Sequence, residues 1–198
     1  MPDELDNLRS VAVFCGSSPG HRPVYTEAAQ ALGAELGRRG IALVYGGGDR
    51  GLMGAVARAA VAAGSAVTGV TVGEVASREG AEATPALGEL LVAPSLSDRK
   101  RLMAERAQAF VMLPGGFGTL DELFEMVTWN QLRIHRKPCG ILDVDGFFGP
   151  LLDHIARSVA EGFVRADHAT DLAVASTPAA LLDGLARSPL RTGGEGGW

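Results

Sequence analysis

The sequence predicts an α/β fold: a Rossmann-like, doubly wound, mostly parallel sheet with helices on both faces. Three observations carry this. Short β-branched apolar runs alternate with longer amphipathic stretches along the chain. The runs lack a strict apolar–polar alternation, as strands covered on both faces do. Three of them end in glycine-rich turns, CGSSPG (15–20), GGGDRG (46–51) and PGGFGT (114–119). Such sheets bind ligands beyond the carboxyl ends of their strands.

The strand-like runs are Val11–Phe14, Ile41–Tyr45, Ala66–Val72, Leu90–Ala93, Ala109–Leu113, Cys139–Asp143 and Leu172–Ala175. Between most of them lie helix-like stretches at Val24–Arg39, Leu52–Ala63, Asp98–Gln108, Leu120–Arg133, Phe147–Glu161 and Ala179–Arg187. No internal repeat or Pro/Ser-rich linker interrupts the pattern, so residues 1–190 are expected to form one domain. The segment Gly73–Gly88 has no clean period and reads as a loop beside the site. The tail RTGGEGGW (191–198) reads as disordered.

Composition excludes several function classes. The chain has 198 residues, 46% hydrophobic and 21% charged, with a net charge of −5 and no basic run. A broad nucleic-acid or anionic-membrane surface is not expected, whereas a local anion pocket is compatible with that balance. The most apolar long region, residues 55–73, is mostly small residues and contains Arg58, which makes a poor membrane span. The N-terminus, MPDELDNLRS, has no basic-then-apolar leader pattern. Cys15 and Cys139 stand far apart, with no CxxC and no metal-ligand spacing. Reduced thiols in a cytoplasm are therefore expected.

Among the glycine turns, GGGDRG formally matches G-x-G-x-x-G through Gly46, Gly48 and Gly51, a dinucleotide signal. It lies, however, in the second strand–helix unit, where that fingerprint occupies the first. A Walker loop is excluded, because neither Lys100 nor Lys137 follows a glycine.

PGGFGT is the stronger candidate. Pro114 fixes one turn, Gly115, Gly116 and Gly118 let the backbone approach a ligand, and a helix then opens near Thr119. Unbonded N–H groups and the positive dipole end favour a phosphate there. Glu122 has two readings. Thr119-x-x-Glu122 fits a capping box, with Asp121 a dipole-favoured acid of the first turn. Alternatively, a carboxylate one turn from a phosphate suits chemistry in which positive charge develops on the ligand, as when an N-glycosidic bond breaks through an oxocarbenium-like state.

Upstream, in SLSDRKRLMAERAQAF, Ser97 is placed to cap a helix whose Arg99, Leu102, Met103, Arg106 and Phe110 share a face. Arg99 there is either a cation snorkelling from the core edge or a guanidinium held for a phosphate or a departing base.

These residues carry a resemblance. The chain resembles the Lonely Guy family of cytokinin riboside 5′-monophosphate phosphoribohydrolases, often labelled lysine decarboxylase-like. The match runs from CGSSPG through LVYGGGDRGLMG, DRK and PGGFGTLDE to WNQLRIHRKPCGILDVDGFF and EGF (161–163). Its most specific element is PGGFGTLDE, which fits the family's PGGxGTxxE.

The resemblance implies a Rossmann-like nucleotide-binding domain that hydrolyses a nucleoside 5′-monophosphate to free base and ribose 5-phosphate. It implies no metal and no organic cofactor, and a homodimer. By the same resemblance Arg99 and Glu122 are the catalytic pair. Lys100, Gly115, Gly116, Gly118 and Thr119 hold phosphate and ribose, Phe117, Leu120 and Asp121 are further substrate-binding positions, Thr128 lies nearby, and Glu79 matches a substrate-binding glutamate.

Leu96 and Ser97 stand where the family usually has Met-His, which bears on base recognition and leaves AMP itself within the implied substrates. A lysine decarboxylase using pyridoxal phosphate needs a Schiff-base lysine, and only Lys100 and Lys137 are available. A sensor that binds nucleotide without turnover is the alternative of a different class.

Overall fold

The structure is a computed structural model and describes residues 8–73 and 87–188. Its strands are β1 (Ser10–Phe14), β2 (Ala42–Tyr45), β3 (Val67–Val72), β4 (Glu89–Ala93), β5 (Ala109–Met112), β6 (Cys139–Leu142) and β7 (Leu172–Ala175). They form one seven-stranded sheet in the order β4-β3-β2-β1-β5-β6-β7. Every neighbouring pair is parallel. All seven expected strands are present within a residue of their expected ends.

Each strand sends successive side chains to opposite faces, and both faces are buried. Val11, Val13, Leu43, Val111 and Leu113 point into one core layer, with Leu32, Leu36, Val56, Leu181 and Leu185. The last five belong to α1 (Pro23–Arg38), α2 (Gly51–Ala62) and α7 (Pro178–Ala186). Ala12, Phe14, Val44, Phe110 and Met112 point into the other, with Met103, Leu123 and Met126. Those last three come from α3 (Leu96–Arg106) and α4 (Phe117–Gln131). Leu151 and Leu152 of α5 (Gly149–Ala160) pack against the same layer. Two-sided burial explains why the strands read as unbroken apolar runs. A short α6 (Ala166–Thr170) was not expected from the sequence; five residues are too few to show a period.

His135 is almost wholly buried (1% exposed), 5.2 Å from the Phe110 ring and 6.0 Å from Trp129 between centroids. Its Nδ1 accepts from the Lys137 N–H at 3.2 Å. Burial, reinforced by the Lys137 charge, pushes its pKa down to about 4.

The chain walks outward from β1 through β2, β3 and β4, then crosses back to place β5 on the other side of β1. That reversal makes the C-terminal ends of β1 and β5 a topological switch point, where the two flanking loops part and leave a crevice. The Gly16 N–H donates to the Pro114 carbonyl at 3.0 Å and ties the two loops together at its floor.

The expected loop at 73–88 lies largely, and the expected disordered tail at 191–198 wholly, outside the described residues.

Candidate active site

A cleft of about 250 Å³ opens at the switch point. It is lined by residues 13–17 at and beyond the end of β1, by Gly46 after β2, by Met53 in the first turn of α2, by Arg99, and by residues 116–119 with Glu122 from the start of α4.

Helix α4 starts earlier than the sequence suggests. Its N-cap is Gly116, with no side-chain cap, so Thr119 stands at N3. The first N–H bonded back along the helix is that of Leu120, to the Gly116 carbonyl at 3.1 Å. The N–H groups of residues 117–119 therefore project from the helix start into the cleft. Thr119 is buried and turns inward, not over the helix end: a Cβ on Gly115 would lie 2.1 Å from its Oγ1 and 2.9 Å from the Gly16 nitrogen. Gly115 is thus required by packing. Gly116 and Gly118 are not, since a Cβ on either would meet nothing within 4 Å. Both border the cleft with bare backbone.

This corrects the capping-box reading. With Gly116 as N-cap, Glu122 lies well beyond N3 and cannot reach back to the helix start. It is half-buried and lines the cleft.

Helix α3 also starts early, with Ser95 and not Ser97 as N-cap; the Ser95 hydroxyl oxygen accepts from the Asp98 N–H at 3.1 Å. The expected shared face breaks as well, because α3 ends at Arg106, an exposed residue 3.9 Å from Glu89, and Phe110 belongs to β5.

Arg99 sits in the first turn of α3 and is 7% exposed. Its Nε donates to the Val70 carbonyl at 2.9 Å and its Nη2 to the Gly46 carbonyl at 3.0 Å. The head group thus lies inside, against the ends of β2 and β3, which removes the snorkelling reading. The seat demands glycine: a Cβ on Gly46 would lie 2.1 Å from Nη2. The GGGDRG spacing has an explanation within the fold. Gly46 seats Arg99, and Gly51, at φ +57°, packs on the β1 loop, where a Cβ would come 2.3 Å from the Ser17 carbonyl oxygen.

The other expected site residues divide. Phe117, 94% exposed, forms the lip of the cleft. Leu120 packs against the core beneath α4. Lys100 does not line the cleft; its Nζ lies 2.8 Å from Asp121 Oδ2 and 2.6 Å from Glu125 Oε2. Asp121 is exposed in that pair. Thr128 is exposed on α4, nearly two turns beyond Glu122. Leu96 and Ser97 are both exposed in the first turn of α3. Glu79 lies outside the described residues.

Cys15, Gly16, Ser17 and Met53 line the cleft without having been singled out as ligand residues; for the first three, their place just after β1 was the available signal, whereas Met53 lies in the first turn of α2. Among the described residues, no three His, Cys, Asp or Glu side chains are grouped to hold a metal, and no helix is long and apolar enough to cross a membrane.

Fold and cleft together define a Rossmann-like α/β protein whose switch point joins an uncapped helix start to a buried arginine and a carboxylate. The family model described as "Possible lysine decarboxylase" matches residues 53–185. The probable cytokinin riboside 5′-monophosphate phosphoribohydrolase LOGL5 of Oryza sativa subsp. japonica is 49% identical over 175 residues, 88% of this chain and 70% of that protein. The cytokinin riboside 5′-monophosphate phosphoribohydrolase LOG7 of Arabidopsis thaliana is 48% identical over 164 residues, 83% and 75% respectively. The chain belongs to this family, the Lonely Guy family. Of solved structures, a molybdenum cofactor carrier protein from Chlamydomonas reinhardtii superposes with a TM-score of 0.69 at 18% identity, covering 92% of this chain and 98% of its own. That likeness shows the shared fold alone.

Proposed function

We propose that the protein hydrolyses the N-glycosidic bond of a purine nucleoside 5′-monophosphate, AMP or an N6-substituted AMP, to free base and ribose 5-phosphate. The observation that carries this reading is the meeting, in one cleft, of an uncapped helix start, a buried guanidinium and a carboxylate that helix capping does not explain.

The 5′-phosphate sits on the N–H groups of residues 117–119, with Gly116 and Gly118 leaving room for its oxygens. This fixes the ribose near Glu122 and Arg99. As the C1′–N bond breaks, its electron pair leaves with the base and positive charge grows on C1′ and the ring oxygen, where the Glu122 carboxylate stabilises it. Water adds to C1′ and the base takes up a proton. Arg99 supports the base's departure by charge and hydrogen bonding. A cleft of about 250 Å³ lies just below the usual ~300–1,000 Å³ of ligand sites, so it suits ribose 5-phosphate with the base projecting towards the exposed face of α4.

That face carries Phe117, Phe124 and Leu132, all exposed, an apolar stripe that fits a second copy of the chain. The protein is proposed to work as a homodimer in the cytoplasm. Both lysines stand outside the cleft, Lys137 donating to the Ala104 carbonyl at 2.6 Å, so no cleft lysine supports decarboxylation through a Schiff base.

The test is incubation with AMP and chromatography for adenine and ribose 5-phosphate, with and without EDTA. Product independent of metal and of NAD supports the reading. Binding of AMP with no product would instead make the protein a nucleotide sensor.

A further inference from the structure

Arg99 and Lys100 are consecutive on α3, yet their side chains are held from opposite sides. The guanidinium rests on carbonyls at the ends of β2 and β3. The ammonium reaches across to α4, between Asp121 and Glu125, carboxylates one helical turn apart. Their positions bracket Glu122, the carboxylate that lines the cleft.

Charge argues against a second task for this lysine. One ammonium between two carboxylates forms a net negative cluster, which repels a phosphate. Only 14% of the Lys100 side chain and 24% of the Glu125 side chain are exposed, so this contact is shielded, whereas Asp121, at 63%, contributes little. Burial opposes the ammonium charge, but the two carboxylates outweigh it and raise the pKa above its ordinary value.

We propose that Lys100 is a positioning residue that pins α3 to α4 through Glu125 and Asp121, and so sets the separation of the Arg99 guanidinium and the Glu122 carboxylate, instead of binding the substrate phosphate. The inference rests on the phosphoribohydrolase reading for its kinetic consequence, and on the ion pairs alone for its structural one.

The experiment compares Lys100→Met, the pair Asp121→Asn with Glu125→Gln, and all three changes together, against AMP and adenosine. A positioning role predicts that kcat falls about 10-fold or more in each variant while KM for AMP stays within about 3-fold. The preference for AMP over adenosine persists, and the triple variant is no worse than the worse of the others.

A phosphate ligand predicts the reverse and would overturn the inference: KM for AMP rises in Lys100→Met, the AMP preference collapses, and the carboxylate variant, which releases the lysine, binds AMP more tightly. Unchanged kinetics in all three variants overturns it too. The carboxylate variant keeps the question open to test if Lys100→Met fails to fold. A wild-type protein inactive on nucleoside monophosphates removes the reaction and the kinetic half of the inference. Thermal melts then judge the other half, because a clamp requires Lys100 and Glu125 substitutions to be non-additive in Tm.

Discussion

Two neighbouring helices begin in opposite ways. At α3, Ser95 accepts the Asp98 N–H, and its hydroxyl in turn contacts the Asp98 carboxylate at 2.7 Å, so the helix start is closed by its own side chains. At α4 the N-cap is Gly116, no side chain covers the end, and the nearest hydroxyl, that of Thr119, is folded inward against Gly115. A capped start is a finished local structure. A bare one beside a cleft leaves polar groups for a ligand to complete, and the local stability given up at α4 is available to binding. The arginine sits on the closed helix and the carboxylate on the open one, so the cleft pairs a rigid edge with a receptive one.

The largest effect expected from this contrast is at Glu122. With no capping role, Glu122→Gln should lower kcat about 100-fold or more if its charge stabilises the ribosyl cation as proposed. Tm should not move, and AMP binding should hold or tighten. Steady-state kinetics and a thermal melt read both, and near-normal turnover would return Glu122 to a structural role.

Next comes Gly46→Ala. The added Cβ collides with side-chain ends, the Arg99 guanidinium and the Met53 sulfur, not with backbone, so the guanidinium is pushed from its seat while the fold stands. A drop in kcat of roughly 10- to 100-fold is expected. The same substitution in an Arg99→Ala background should have almost no further effect; additive losses would show that Gly46 acts by another route.

Gly118→Ala probes the open helix start directly. Alanine is the better helix former, by up to about 1 kcal/mol, so Tm should rise by about 2 °C. KM for AMP should rise about 10-fold as the methyl crowds the phosphate. A higher Tm with unchanged KM would place the phosphate elsewhere.

The smallest effect belongs to the closed helix. Ser95→Ala should cost about 1 kcal/mol of stability, or about 3 °C in Tm, with kinetics intact.

The sheet was legible because every strand is a β-branched run buried on both faces, and that pattern survives in a single sequence. The helix starts were not. Ser97 and Thr119 each look like a cap, and the true starts, Ser95 and Gly116, lie upstream where a serine beside a proline or a glycine in a turn reads as loop. The candidate site was legible in its parts, PGGFGTLDE and the Arg99–Lys100 pair, but not in its wiring. Periodicity put Arg99 on an apolar face, yet only the carbonyls of Gly46 and Val70, 53 and 29 residues away, show it to be held inside. Lys100 enters as an anion ligand through the resemblance alone, and its ion-pair partners 21 and 25 residues on leave no local signal in the sequence.

His135 gives the protein a proton ledger of its own. In the unfolded chain its imidazole titrates near 6.5, and in the folded protein near 4. Between those values the unfolded state binds more protons, so stability rises with pH across that window and is lost as pH falls from 6.5 towards 4. Below both values this group adds no further slope. The imidazole lies between β5 and the end of α4, against Phe110 and Trp129. Acid therefore acts on the joint between the sheet and the far end of α4. Urea melts at pH 7 and pH 5 should show that loss in the wild type and a smaller one in His135→Gln.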